Sequence, residues 1–187
     1  IIDYCIRTKR LYESRDYHNA VFIGFDRHGV PKYATLRGTF GKRFMGEVNG
    51  SDKHFSFSIP ARNECSKLHL FESAIDLLSY GTLELLSGRD WRQENCLSLA
   101  GIYMPKKIIE ESTPPAALVQ YLKDFPQISE IALHLDNDTA GRLAAKTIQT
   151  ILPSVYVVYD EAPKQGKDFN DYLKIKLGLQ CSQEHER

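Results

Sequence analysis

Apolar and polar positions follow two different rhythms along the chain, and the change comes near residue 66. Upstream, short apolar runs are broken by turn formers. Residues 20–25 (AVFIGF) and 31–37 (PKYATLR) read as strands, and Asp26-Arg27-His28-Gly29 between them reads as a turn in which glycine takes the awkward dihedral. Phe55, Phe57 and Ile59 alternate as a further strand stopped by Pro60, and residues 1–18 read as a basic entry segment or short helix. Downstream, strand and helix patterns alternate. Strands are expected at 68–71, 96–100, 131–135 and 155–159, and helices at 74–86, 114–125, from Thr139 onward and at 171–177. Such alternation with right-handed crossovers makes a parallel sheet covered by helices. The pattern predicts an α/β protein: a small antiparallel β-rich unit over 1–63, a parallel four-stranded sheet flanked by helices over 64–178, and a polar tail over 179–187.

Composition narrows the class. With 42% apolar and 26% charged residues the chain is globular, and it carries no apolar run of membrane-spanning length and no signal-peptide pattern, so a cytoplasmic protein is expected. It opens on Ile1 rather than Met, so residues upstream are expected. Formal net charge is zero, yet Arg7, Lys9, Arg10, Arg37, Lys42, Arg43 and Lys53 fall in the first third while aspartates gather in the last. Cys5, Cys65, Cys96 and Cys181 form no CxxC pair, which argues for reduced thiols and against zinc within these residues. His28, His54, His69 and His134 follow no metal-ligand spacing, and His134 alone lies close to the acids that carry the chemistry.

That stretch is Ile131 to Gly141, IALHLDNDTAG: a buried-strand run, two aspartates one residue apart, then a glycine opening a helix. In a parallel sheet the residues just past each strand share one rim, where open α/β sheets place their ligands. Glu72 and Asp76 follow the first strand, Asp136 and Asp138 the third, and Asp160, Asp168 and Asp171 the fourth. Acids crowded together repel, and a hard divalent cation relieves the repulsion; Mg²⁺ or Mn²⁺ suits such an oxygen site and holds the phosphates of a nucleotide or a nucleic-acid backbone. An aspartate at a helix start also serves as an N-cap, a role open here to Asp138 or Thr139. Lys164 and Lys167 lie in the glycine-containing loop before Asp168, where they could pair with phosphate.

Glu72-Ser73-Ala74-Ile75-Asp76 after a strand, Leu99-Ala100-Gly101 after the next, Asp136-Asn137-Asp138-Thr139-Ala140-Gly141, and Gly166-Lys167-Asp168-Phe169-Asn170-Asp171 together resemble the TOPRIM domain. This is the metal-binding catalytic module of bacterial DNA primases, of type IA and type II topoisomerases and of some nucleases. Motif order and spacing match over residues 66–178, and the last motif resembles the primase branch. Two positions depart from the family pattern: Ser73 stands where glycine usually follows the glutamate, and Asn170 stands two places past Asp168 where the primase pattern has a second acid. The resemblance implies metal binding by Glu72, Asp76, Asp136, Asp138 and Asp168, with Glu72, Asp136 and Asp138 as catalytic residues. The segment VFIGFDRHGVPKYATLRG is similar to the small subdomain before TOPRIM in primase-related proteins of plasmids and conjugative elements, and implies nucleic-acid or nucleotide contacts by Arg37 and Lys53, with Lys167 as a third. Such proteins often carry a zinc finger, which here would lie upstream of Ile1.

Three readings follow. The first is primase-like nucleotidyl transfer on single-stranded DNA in mobile-element replication or transfer, with nucleotides as substrates and a helicase or relaxase as a further partner. The second is a nuclease with the same metals and water as nucleophile. The third, favoured by the neutral net charge, is a non-catalytic module that holds DNA or a partner. Against a topoisomerase, no tyrosine of the ten stands out as nucleophile.

Overall fold

Strand β1 (Leu11–Glu13), β2 (Ala20–Phe25), β3 (Pro31–Arg37) and β4 (Met45–Glu47) pair in that order as an antiparallel meander. The turn between β2 and β3 forms where the sequence placed it: the Asp26 carboxylate accepts from the His28 and Val30 N–H groups, both at 2.9 Å, and Gly29 sits at φ +77°. The computed structural model describes residues 1–40 and 44–179. Lys42 and Arg43 of the basic loop, Cys181 and residues 180–187 of the expected tail lie outside the described residues.

The second sheet has the order β5-β7-β6-β8-β9. Its four parallel strands are β6 (Lys67–Phe71), β7 (Asn95–Ser98), β8 (Glu130–His134) and β9 (Val157–Asp160), as the alternation predicts. The fifth, β5 (Ser58–Ile59), pairs antiparallel with β7 through Ser58 with Leu97 and Ile59 with Cys96. The run from Phe55 to Ile59 was expected to belong to the small antiparallel unit; instead a 3-10 turn at Lys53–Phe55 leads into an edge strand of the larger sheet. Phe57 and Ile59 are both fully buried, so burial rather than local alternation selects the sheet they join.

Helix α1 (Ile2–Arg7) precedes the meander. Helices α2 (Ala74–Leu86) and α5 (Phe169–Lys176) cover one face of the second sheet, and α3 (Ala116–Asp124) and α4 (Thr139–Ile151) cover the other. On the α3–α4 side Leu68, Leu70, Leu97, Ile131, Leu133 and Leu135 pack against Leu118, Ala145 and Ile148. On the α2–α5 side Phe71, Leu77 and Phe169 pack with Ile59, Phe57, Phe22 and Cys5, so the first sheet and α1 share this core. Two glycines mark close approaches, one of backbone to backbone and one of a side chain to a helix. A Cβ on Gly24 of β2 would sit 1.7 Å from the Phe55 carbonyl oxygen, and one on Gly81 of α2 would sit 3.2 Å from the Ile1 side chain. Among the described residues no helix is long and apolar enough to cross a membrane.

Candidate metal centre

The rim forms because three helices begin at it, each on an acid-bearing turn. Ser73 caps α2: its hydroxyl oxygen accepts from the Asp76 N–H at 3.2 Å, and its O–H donates to the Asp76 carboxylate. Ser73 thus holds Asp76, a role that the glycine usual at this position could not fill. Asp138 caps α4 by accepting from the Gly141 N–H at 2.9 Å, and Asp168 caps α5 by accepting from the Asp171 N–H at 2.7 Å. Capping uses one carboxylate oxygen and leaves the other to face the cluster. α5 begins at Phe169, two residues before the start expected from its apolar pattern, because Asp168 supplies that cap.

Backbone contacts lock these turns together. The Asn137 N–H donates to the Lys167 carbonyl at 2.6 Å, the Asn170 N–H to the Asp76 carboxylate at 3.3 Å, and the Gly101 N–H to the Glu72 carbonyl at 3.0 Å. The Leu99-Ala100-Gly101 motif therefore positions Glu72, and it does so with Ala100 in the left-handed region at φ +61°. A Cβ on Gly141 would lie 2.1 Å from the Asp136 carbonyl oxygen, so only glycine lets α4 start this close to the end of β8.

Electrostatically the site is short of positive charge. Asp76 and Asp136 are only 6% and 8% exposed. Burial, then the charges of Asp136, Asp76 and Asp138, push the Glu72 carboxyl up to about 7. Burial also pushes Asp76 up to about 6, with Asp168 adding to the shift while the Ser73 and Asn170 hydrogen bonds and Arg37 oppose it. Asp136 is likewise pushed up to about 6 by burial, Asp76 and Asp168. Asp138 lies below its usual value because the Gly141 N–H binds its charged form and Lys167 stands beside it. The Lys167 ammonium reaches Asp138 at 3.2 Å and Asp136 at 3.6 Å.

The structure thus brings Glu72, Asp76, Asp136, Asp138 and Asp168 together. Lys167, expected to meet phosphate, is ion-paired with two of them. Arg37, at the end of β3, is near enough for its charge to lower Asp76 slightly from the first sheet. Lys53 lies on the 3-10 turn, paired with Glu47 at 3.0 Å. Asp160, counted among the converging acids, is drawn away: Arg142 grips it while donating to the Leu135 and Asp136 carbonyls at 2.7 and 3.1 Å. Asp171 pairs with Lys174 at 3.3 Å.

The pattern of single residues missed His69. It lies on β6 and is 2% exposed, and His134 on β8 is 3% exposed; the two rings meet edge to edge, with Tyr80 against both and Phe169 edge-on to His134. The available signal was parity. In parallel register His134 faces Phe71, two residues past His69, so both histidines point to the α2–α5 side.

Residues 1–63 match a family described as a protein of unknown function (DUF3991), and residues 69–173 match the Toprim-like family. A 65 kDa protein of Zymomonas mobilis is 31% identical over 176 residues; the match covers 88% of this chain but only 28% of that protein, so the chain spans under a third of its length. Among solved structures, the primase fragment of the bacteriophage T7 primase-helicase protein superposes with a TM-score of 0.57 at 19% identity, over 94% of this chain and 66% of that one. The primase of Aquifex aeolicus, with its zinc-binding and RNA polymerase domains, gives 0.55 at 18% identity, over 93% and 43%. The DnaG primase catalytic domain bound to single-stranded DNA gives 0.53 at 14%, over 93% and 56%. At these identities the likeness shows a shared fold. With the matched span of 69–173 covering over half of its residues, the chain belongs to the Toprim-like family.

Proposed function

We propose that this chain is the core of a divalent-metal-dependent nucleic-acid enzyme, and that it joins nucleotides on a single-stranded DNA template in the manner of the primases whose fold it shares. One observation carries the reading. Glu72, Asp76 and Asp136 are all held well above ordinary carboxyl values by burial and by one another, with Lys167 the ammonium paired into the cluster. The donors are all carboxylate oxygens, the set that suits Mg²⁺ or Mn²⁺. Asp136, Asp138, Asp76 and Asp168 are assigned to hold the metal. When bound, the ion supplies charge stabilisation for the phosphoryl group under attack.

The chain's own residues do the rest. Glu72, with its carboxyl at about 7, is poised to take the proton of the attacking 3′ hydroxyl. Arg37, whose charge reaches Asp76 from the first sheet, is assigned to nucleotide or template phosphate. Lys167 is assigned to phosphate by exchanging its carboxylate partners for the substrate's oxygens. Lys53, on the exposed side of the 3-10 turn, is assigned to the template strand. In this reading the protein works in the cytosol on mobile-element DNA, beside a helicase or relaxase.

The Lys167 contacts favour one competing reading, a module that replaces the metal by its own ammonium and only holds nucleic acid. Calorimetric titration with Mn²⁺ separates the two. Binding by the wild type that Asp136→Asn abolishes, followed by primer synthesis from nucleoside triphosphates on single-stranded DNA, is the expected result. Absence of Mn²⁺ binding, or binding indifferent to Asp136→Asn, overturns the enzyme reading.

A further inference from the structure

The hydrogen-bond partners of His69 and His134 fix where their protons lie. His69 Nε2 contacts the Glu94 carboxylate, which also pairs with Lys67 at 3.7 Å; an ionised carboxylate can only accept, so Nε2 carries the hydrogen. His134 Nδ1 lies 3.0 Å from the Glu161 carbonyl oxygen, another obligate acceptor, so Nδ1 carries the hydrogen there. A neutral imidazole has only one N–H. His69 Nδ1 and His134 Nε2 therefore both present lone pairs, and they stand 2.7 Å apart. Two lone pairs aimed at each other repel unless a cation lies between them.

That cation is either a proton, which would place an imidazolium among Phe71, Tyr80 and Phe169 with the Glu94 carboxylate as its counter-charge, or a metal ion. A third donor favours the metal. Glu161 Oε2 lies 3.7 Å from His134 Nε2, and the three ligand atoms of His69, His134 and Glu161 all fall within 4.8 Å of one another. Beyond them, a cleft of ≈ 960 Å³ opens between α2 and α5.

We propose that His69 Nδ1, His134 Nε2 and Glu161 Oε2 form a second metal site, separate from the acid rim, that takes a Zn²⁺-class ion and keeps its fourth position open to the cleft. Imidazole nitrogens select zinc-like ions where the all-oxygen rim selects Mg²⁺ or Mn²⁺. Three protein ligands with one open position is the pattern of zinc sites that also bind an exogenous ligand. Glu94 and the Glu161 carbonyl are the outer partners that fix each ring's tautomer, as metal-bound histidines require. Two nitrogens on one tetrahedral Zn²⁺ lie about 3.3 Å apart, so binding parts the rings by roughly half an ångström.

Titration of the chelator-stripped chain with Co²⁺, read by its visible d–d absorption, tests this. A tetrahedral-type spectrum that saturates with a single Co²⁺, yields to Zn²⁺, and persists in excess Mg²⁺ and in Asp136→Asn is expected. Glu161→Gln, at an exposed side chain that leaves the core intact, should weaken Co²⁺ binding by more than about tenfold, and Glu94→Gln by about 10- to 100-fold. No such spectrum, or one removed by Mg²⁺ or by Asp136→Asn, overturns the site. So does a histidine ¹⁵N spectrum that shows a doubly protonated ring in the presence of excess Zn²⁺.

Discussion

Lys167 is the residue on which the chemistry of the rim turns. Its ammonium supplies one positive charge to a cluster of five carboxylates and competes with any divalent ion for Asp136 and Asp138. Lys167→Gln is therefore expected to tighten Mn²⁺ binding to the nucleotide-free protein several-fold while weakening nucleotide binding; a drop in Mn²⁺ affinity would show that the ammonium is not a competitor. The raised acids also set a pH dependence. Glu72, Asp76 and Asp136 bind protons more tightly in the folded protein than in the unfolded chain, so their contribution to stability is fully present at low pH and is lost as pH rises through about 6 to 7. Buried His134, whose pKa burial pushes down, acts in the opposite sense over part of that range. The difference between wild type and Asp136→Asn isolates the acids: the variant should gain stability relative to wild type as pH rises from about 4 to about 7 and hold that gain above, measured by urea denaturation without metal. At this scale the acid residues were legible in the sequence, because strand ends and motif spacing name them. The histidine pair was not, since it depends on register between β6 and β8, which spacing along one chain does not carry.

The elements that matter are turns rather than helices or strands. Three helix starts, capped by Ser73, Asp138 and Asp168, fix the carboxylates more tightly than the strands behind them do. Gly141 is the tightest point. Gly141→Ala would drive a Cβ into the Asp136 carbonyl, and a loss on the order of 3 kcal/mol is expected in urea denaturation, with Mn²⁺ binding lost alongside. A variant within about 0.5 kcal/mol of wild type would show that the turn can relax. The parallel strands and their helices were legible because buried strands and amphipathic helices leave different periods. β1 and β4 were not: at three residues each they are too short to show a period, and only pairing with β2 and β3 makes them strands; β5 was legible as a strand, but not the sheet it joins.

Across the whole molecule, the boundary expected near residue 63 does not coincide with the change of sheet, because β5 at Ser58–Ile59 already belongs to the larger one, and one apolar core runs across it. Cys5, Phe22 and Phe57 pack with Phe71, Leu77 and Phe169, and Gly24 admits the Phe55 carbonyl against β2. Calorimetry of the full chain is therefore expected to show a single cooperative transition, and residues 64–178 expressed alone to lose it; two resolved transitions would mean that the halves fold independently. Composition could not announce this, because shared burial is a property of the assembled layers.

Helix α5 ties two distant regions into one energy balance. Asp168 begins it at the acid rim, and the next residue, Phe169, closes edge-on over His134 above the cleft between α2 and α5. A molecule in the cleft that shifts the backbone at Phe169 also moves the carboxylate beside it. Occupancy of the cleft and occupancy of the rim then become reciprocal quantities: by whatever factor one ligand alters the affinity of the other, it is altered in return.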